Sequence, residues 1–363
     1  MDHINKLPFM RFKPPHPINK RMAVLSDDIG SFPLNPGADR KILRLIAGKI
    51  VRKEASAEEK ESFYGVVGGI MQKKIDAGIA RPTYPQVQDM VSGFFSPIES
   101  FYEKERPWVI RKEYAVLPEL SALDSPAKRF FEETGRPLEL RVCVTGPLEL
   151  YLKAAGNQVQ GDLLQNLAES VSRFVENALI KTKYLKTSTV SIDEPSLGIN
   201  PNIFVERTDL ISALDTAAAK AKKLDVQIHL HSPAAAETVY ETRNIRIIGI
   251  ESAEDPKALS EVKREDLDSY DKFLRAGIAR TNIHSLLADY REKGGSDPVE
   301  AVRVLESQEI IGKRLRHVHK LFGSRLMYAG PDCGLGGWPS QEAAYQLLRN
   351  CADAVNGFNK TEV

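Results

Sequence analysis

The chain reads as an α/β protein built as a single (β/α)8 TIM barrel, on three observations. Short β-like runs alternate with longer amphipathic stretches, which implies a parallel sheet with helical crossovers. In nearly every run the chemically capable residue stands at the C-terminal end: Ser31, Thr145, Asp193, His231, Glu251, His284 and Cys333. An open doubly wound sheet gathers its site near two or three strands at one switch point. A closed barrel brings all its strand ends to one face, and barrel enzymes work there. The third observation is length, since 363 residues suit one barrel with insertions.

The elements follow in order. "MAVLSDDIGSFP" reads as a strand and a loop, and "LELRVCVTGPLEL" as strand, turn and helix start. "TSTVSIDEPSLG" is a strand ending in acids, and "DVQIHLHSP" one ending in histidines. "NIRIIGIESAEDP" and "DKFLRAGIARTNIHS" repeat the pattern, and "RLMYAGPDCGLGG" closes it. Between them, "DLLQNLAESVSRFVENALIKTKYL" and "RTDLISALDTAAAKAKK" place apolar residues at i, i+3, i+4 and i+7, the period of a helix with one buried face. "KIVRKEASAEEKE" reads as a solvated helix face. The expected division is an N-terminal extension over 1–20 and the barrel over 21–363.

Charge is nearly balanced, 50 Lys+Arg against 49 Asp+Glu, so nothing points to a nucleic-acid or anionic-membrane surface. Three scattered cysteines make no disulfide framework, and a reducing cytoplasm is the expected location. The basic N-terminus has no apolar core of the signal-peptide kind, and no run of about 18 apolar residues occurs.

Candidate metal chemistry follows from residue type and position. His229 and His231 stand two apart on a strand, so both point to one side. Glu251 ends the next run and Cys333 the last. Imidazole, carboxylate and thiolate together suit Zn²⁺ better than Mg²⁺ or Ca²⁺, which prefer all-oxygen surroundings. The residues equally admit a reading in which His229 is hydrogen-bonded, Glu251 ion-paired and Cys333 merely buried. Cys143 and Cys351 read as core thiols, His317 and His319 as part of a basic surface helix, and Trp108 and Trp338 as packing residues. Glu194 follows Asp193 on a strand and points away from it unless the strand has ended, in which case it could bind donor or metal. "GVVGGI" lacks the strand context of a dinucleotide site and reads as close helix packing.

Six short motifs occur in a fixed order: "IGSFP" (Ile29 to Pro33), "TGP" (Thr145 to Pro147), "IDEP" (Ile192 to Pro195), "IHLH" (Ile228 to His231), "IHS" (Ile283 to Ser285) and "PDCGL…GW" (Pro331 to Trp338). Together they resemble the C-terminal catalytic barrel of cobalamin-independent methionine synthase, in a short form without that family's N-terminal barrel. The wider superfamily holds uroporphyrinogen decarboxylase and methylcobamide:coenzyme M methyltransferases. The resemblance implies zinc held by His231, Glu251 and Cys333. It implies Asp193 for the amino group of homocysteine, Ile29, Gly30 and Ser31 for its carboxylate, and His284 as proton donor.

The chain departs from the family at three places. The family's second zinc cysteine falls at Pro233, leaving the fourth position to water, the substrate thiol or His229. Its second amino-binding acid falls at Tyr84, although "QDM" (Gln88 to Met90) follows as in the family. Its folate-stacking tryptophan past "TGP" is missing from "LELYLK", which carries Tyr151 and Lys153. The missing tryptophan and the missing N-terminal barrel imply a corrinoid, free or on a partner protein, as methyl donor instead of folate. The alternatives are methyl or alkyl transfer to another small thiol such as coenzyme M, or a non-catalytic barrel that binds a corrinoid or a partner.

Overall fold

A computed structural model describes residues 23–292, 294 and 304–362; the expected N-terminal extension over 1–20 lies outside them. Among the described residues nine strands run in chain order: β1 (Leu25–Ser26), β2 (Tyr102–Glu103), β3 (Arg106–Ile110), β4 (Leu138–Thr145), β5 (Leu185–Asp193), β6 (Asp225–Leu230), β7 (Ile247–Ile250), β8 (Phe273–Ala279) and β9 (Leu326–Pro331). Seven form one sheet in the order β1-β9-β8-β7-β6-β5-β4. All its pairings are parallel. Strands β2 and β3 make a separate antiparallel hairpin.

The sheet is closed by a stave that the sequence conceals. Segment 81–86 makes parallel bridges to the β1 side at Asp27↔Arg81 and Ser31↔Gln86, and to β4 at Thr83↔Arg141. Its N–H groups alternate between the two neighbours: Arg81 donates to Ser26 O, Tyr84 to Arg141 O and Gln86 to Gly30 O. Pro82 and Pro85 have no N–H to give, so the ladder is discontinuous and no regular strand forms. Pro82 still accepts from Arg141 N at 3.0 Å. Seven strands and this stave complete the eight-membered barrel.

Strand sequences buried on both sides read as near-continuous apolar runs. In β4 the residues Leu140, Val142 and Val144 are fully buried and belong to one contiguous core cluster. Arg141 on the alternate face is buried too, but its guanidinium reaches Gln227 Oε1 and the backbone oxygens of Asp28 and Ile29. The barrel lumen is therefore polar at this level. Arg141 and Arg275 flank Asp27, at 3.6 and 3.0 Å, and Gln227 also donates to it. The Asp27 carboxylate thus sits between two guanidinium groups below the strand ends, and both also act on Asp193 above.

The crossover helices form where the periodicity predicts. Helix Gly161–Asn177 buries Leu164, Leu167, Ala168, Val171, Phe174 and Val175. Each large apolar side chain so buried contributes about 1.5–3 kcal/mol. The stretch "KIVRKEASAEEKE" is not one helix face. Helix Arg40–Val51 ends within it, and Ser56 opens helix Ala57–Asp76 through a reciprocal capping box with Glu59. Of the glycines in "GVVGGI", Gly68 approaches Ala122 O of another element, whereas Gly65 and Gly69 face open space.

Candidate metal centre

Parallel register carries the site across the C-terminal mouth. Asp193, the last residue of β5, lies beside Thr145 on one side and His229 on the other. His229 lies in turn beside Gly249 of β7, and Glu251 follows the end of that strand. Alternation on β6 keeps His229 and His231 on one side, their rings 5.3 Å apart between centroids.

His229, His231, Glu251 and Cys333 converge, each offering one donor atom within 4.8 Å of the others. Glu251 Oε1 is 3.4 Å from His231 Nε2 and 3.8 Å from His229 Nε2. Cys333 Sγ is 3.7 Å from His231 Nε2 and 3.9 Å from His229 Nε2. Four N, O and S donors at zinc bond lengths stand about 3.3–3.6 Å apart at the corners of a tetrahedron. The separations from Glu251 and Cys333 to the two imidazoles, 3.4 to 3.9 Å, are at or slightly above that spacing. Two buried polar atoms here have no hydrogen-bond partner, Glu251 Oε1 and His229 Nδ1. Burial drives every donor toward its neutral form. It lowers both histidines, His229 well below the usual imidazole range, and pushes Glu251 up to about 7 and Cys333 up to about 12. A carboxylate and a thiol held this close without a protein cation are the donors that a divalent cation would ionise and satisfy. The residues fit zinc, with His229 standing within reach as a candidate fourth donor. Pro233 lies buried at the start of the one-turn 3₁₀ helix Pro233–Ala235 and offers none.

The loop bearing Cys333 is clamped from several strands. Cys333 N donates to Thr281 Oγ1, and Trp338 Nε1 donates to Thr281 O. Leu335 N donates to Ser31 O and Gly336 N to Ser31 Oγ. A Cβ on Gly334 would lie 2.1 Å from Ser31 Oγ, so the glycine permits the contact. The "IGS" and "DCGLGG" motifs are thus two halves of one interlock. Gly30, at φ 133, meets Gln86 so closely that a Cβ would lie 2.8 Å from its Oε1. Lys74 Nζ donates to Gly30 O and to Asp28, fixing the loop from below. The N–H groups of Ile29, Gly30 and Ser31 have no acceptor among the described residues.

Asp193 is buried, and burial pushes its carboxyl up to about 6 against the pull of Arg141, the Ser191 hydroxyl and Arg275. Ser191 Oγ donates to it at 2.6 Å. His284 stands exposed near the start of helix Ile283–Glu292, outside the donor cluster, and makes no hydrogen bond or ion pair among the described residues. Glu194 turns away from the cluster. Its carboxylate accepts from Leu148 N and Glu149 N at the start of helix Pro147–Ala155, and burial raises it to about 8. Gly146 makes room for it, since a Cβ there would lie 2.1 Å from Glu194 Oε1. Tyr84 is a buried wall residue whose hydroxyl donates to Cys143 O at 2.9 Å. Two acids escaped the sequence reading. Asp332 binds the turn after Glu251, and Glu119 is buried beside Gln88 with its carboxyl raised to about 7. Neither carries a periodic or motif signal apart from the place of Asp332 in "PDCGL".

Fold and site define a barrel with a zinc-type donor cluster at its C-terminal mouth. No protein-family model matches the chain. A curated methionine synthase of Sulfolobus acidocaldarius is 22% identical over 335 residues, covering 88% of each chain. Two solved structures share the fold over nearly the whole chain. A B12-independent methionine synthase from Shewanella sp. W3-18-1, in complex with selenomethionine, has a TM-score of 0.59 at 15% identity and covers 93% of this chain and 98% of its own. A putative vitamin-B12-independent methionine synthase from Listeria monocytogenes has a TM-score of 0.54 at 14% identity, covering 94% and 99%. The family resemblance carried by the six motifs thus recurs along the chain, which is methionine synthase-like in sequence and a TIM barrel in fold.

Proposed function

We propose that this chain is a zinc-dependent thiol methyltransferase that converts homocysteine to methionine, with a corrinoid methyl donor. The observation that carries the reading is the convergence of His229, His231, Glu251 and Cys333 at the barrel mouth. The similarity to a methionine synthase over 335 residues supports it. Bound zinc would supply one thing, a lowered pKa for a coordinated thiol, so that the thiol is presented as thiolate near neutral pH.

The chain's own groups do the rest. Asp193, next to His229, receives the substrate ammonium, and the Ile29–Ser31 backbone with the Ser31 hydroxyl receives the carboxylate. Ser31 Oγ accepts from Gly336 and keeps its own proton to donate. Two such anchors fix the rotation and distance of the sulfur and so lower the entropic part of the barrier. His284, exposed beside the mouth, is the group assigned to carry a proton to or from the donor side.

Two features support a donor other than folate. Tyr151, in the stretch past "TGP", is buried, with its hydroxyl bound to Gln158 O and Gln160 N. Trp108 packs edge-on against it, with centroids 6.0 Å apart. That stretch thus offers no free aromatic face for stacking a pterin. The neutral, wall-bound Tyr84 favours a second acceptor, a thiol without an ammonium such as coenzyme M. The test is zinc per chain by elemental analysis, then methyl transfer from methylcobalamin or methyltetrahydrofolate to homocysteine or coenzyme M. About one zinc and methionine formed from methylcobalamin are expected. A chain that takes up no zinc even on anaerobic reconstitution would overturn the reading.

A further inference from the structure

Glu251 and Cys333 come from strands that are not neighbours, because β8 lies between β7 and β9. Something has to set their separation, and one side chain spans it. The Asp332 carboxylate accepts three consecutive N–H groups of the turn after Glu251. Ser252 N and Ala253 N reach Oδ1 at 3.0 and 2.9 Å, and Glu254 N reaches Oδ2 at 2.7 Å. Its own backbone N–H is fixed to Ala279 O at the end of β8. The next residue is Cys333.

The crossing point is built for this contact. The carboxylate passes over Gly277 of β8, where a Cβ would lie 1.8 Å from Asp332 Oδ1. The Ser252 hydroxyl donates to Gly277 O at 2.7 Å, so the turn is also tied to the bare strand beneath. Asp332 is 1% exposed, and Ser252 and Ala253 are buried with it. No other described side chain hydrogen-bonds both the Glu251 turn and the strand segment that carries Cys333.

We infer that Asp332 is a positioning residue that sets the distance between the Glu251 carboxylate and the Cys333 thiolate, and thereby the affinity for the metal. The inference rests on the metal reading above. Outer partners that orient metal ligands are worth roughly 10–100-fold in affinity. Asp332→Asn keeps the volume and one acceptor oxygen, but turns an NH2 group toward N–H donors.

The experiment measures zinc affinity by competition with a chromophoric chelator, the thiolate-to-metal absorption of the Co²⁺-loaded protein, and the melting temperature of chelator-treated protein. These are compared for wild type and Asp332→Asn. The expected result is a 10–100-fold loss of zinc affinity and an altered Co²⁺ spectrum, in addition to a lower melting temperature of the metal-free variant, since a buried N–H loses its acceptor. Wild-type affinity in a variant that merely melts earlier would overturn the inference and reduce Asp332 to a structural tie. Should Asp332→Asn not fold, Gly277→Ala decides, because it displaces the same carboxylate from a residue that bears no donor. Unchanged zinc affinity there would equally refute the role. If wild type itself binds neither zinc nor Co²⁺, the metal reading falls first, which is a different outcome from binding that ignores Asp332.

Discussion

Cys333→Ala tests the donor set most directly, and the structure sets its size. Four donor atoms lie within 4.8 Å of one another, and the thiol is the single sulfur among them. Four-donor protein zinc sites bind with about 10–16 kcal/mol at neutral pH. An even share per donor is about 3 kcal/mol, or roughly a hundredfold in affinity. The thiolate is the softest donor of the set, so this is a lower bound. The pH dependence gives a second, independent signature. Burial holds the Cys333 thiol up to about 12, so metal entry has to expel its proton. Affinity therefore rises about tenfold per pH unit between pH 7 and 9, one proton being released per metal. Below pH 7 the slope steepens, because Glu251, raised to about 7, is then protonated and releases a second proton. Burial lowers both histidines from the ordinary imidazole value, so above pH 7 they enter the site neutral and release no proton. In Cys333→Ala the thiol contribution vanishes, and the affinity above pH 7.5 becomes nearly independent of pH. Chelator competition at four pH values measures both effects. Full zinc occupancy in the variant, or a slope that survives, would refute the argument.

Three further outcomes are expected. Asp193→Asn raises the homocysteine KM more than tenfold and leaves zinc content alone; an unchanged KM would place the ammonium elsewhere. Glu119→Gln alters the pH profile of stability. Burial raises the Glu119 carboxyl to about 7, so its stabilising contribution is complete below the unfolded value near 4.5 and is lost as pH rises through 7. The amide mimics the protonated acid, so the melting-temperature difference, variant minus wild type, should grow more positive from pH 4.5 to 8. A difference independent of pH would count against it. Gly334→Ala forces a Cβ to 2.1 Å from Ser31 Oγ, whereas Gly337→Ala meets nothing within 4 Å. The first should lower zinc occupancy and cost about 1–3 kcal/mol, the second should do neither, and equal behaviour would show that the interlock does not hold Cys333.

The local sequence determined the barrel and most of its mouth. Strand alternation has period two, so a single run such as "IHLH" already places both imidazoles on one side. Strand ends gather at one face in a barrel, and that rule alone brought His231, Glu251 and Cys333 into one frame. Tertiary structure decided what depends on distant neighbours. Segment 81–86 is a stave because β1 and β4 lie on either side of it; its two prolines erase the local signal. Glu194 caps a helix rather than facing the cluster, because β5 ends at Asp193 and the next carboxylate finds free N–H groups. His229 stands inside the donor cluster, and Asp332 ties the Glu251 turn to the Cys333 segment across a bare glycine through a contact spanning some eighty residues. Period and propensity are set by neighbours along the chain, whereas the partner of a buried carboxylate is set by which strand lies alongside, and only the closed barrel fixes that.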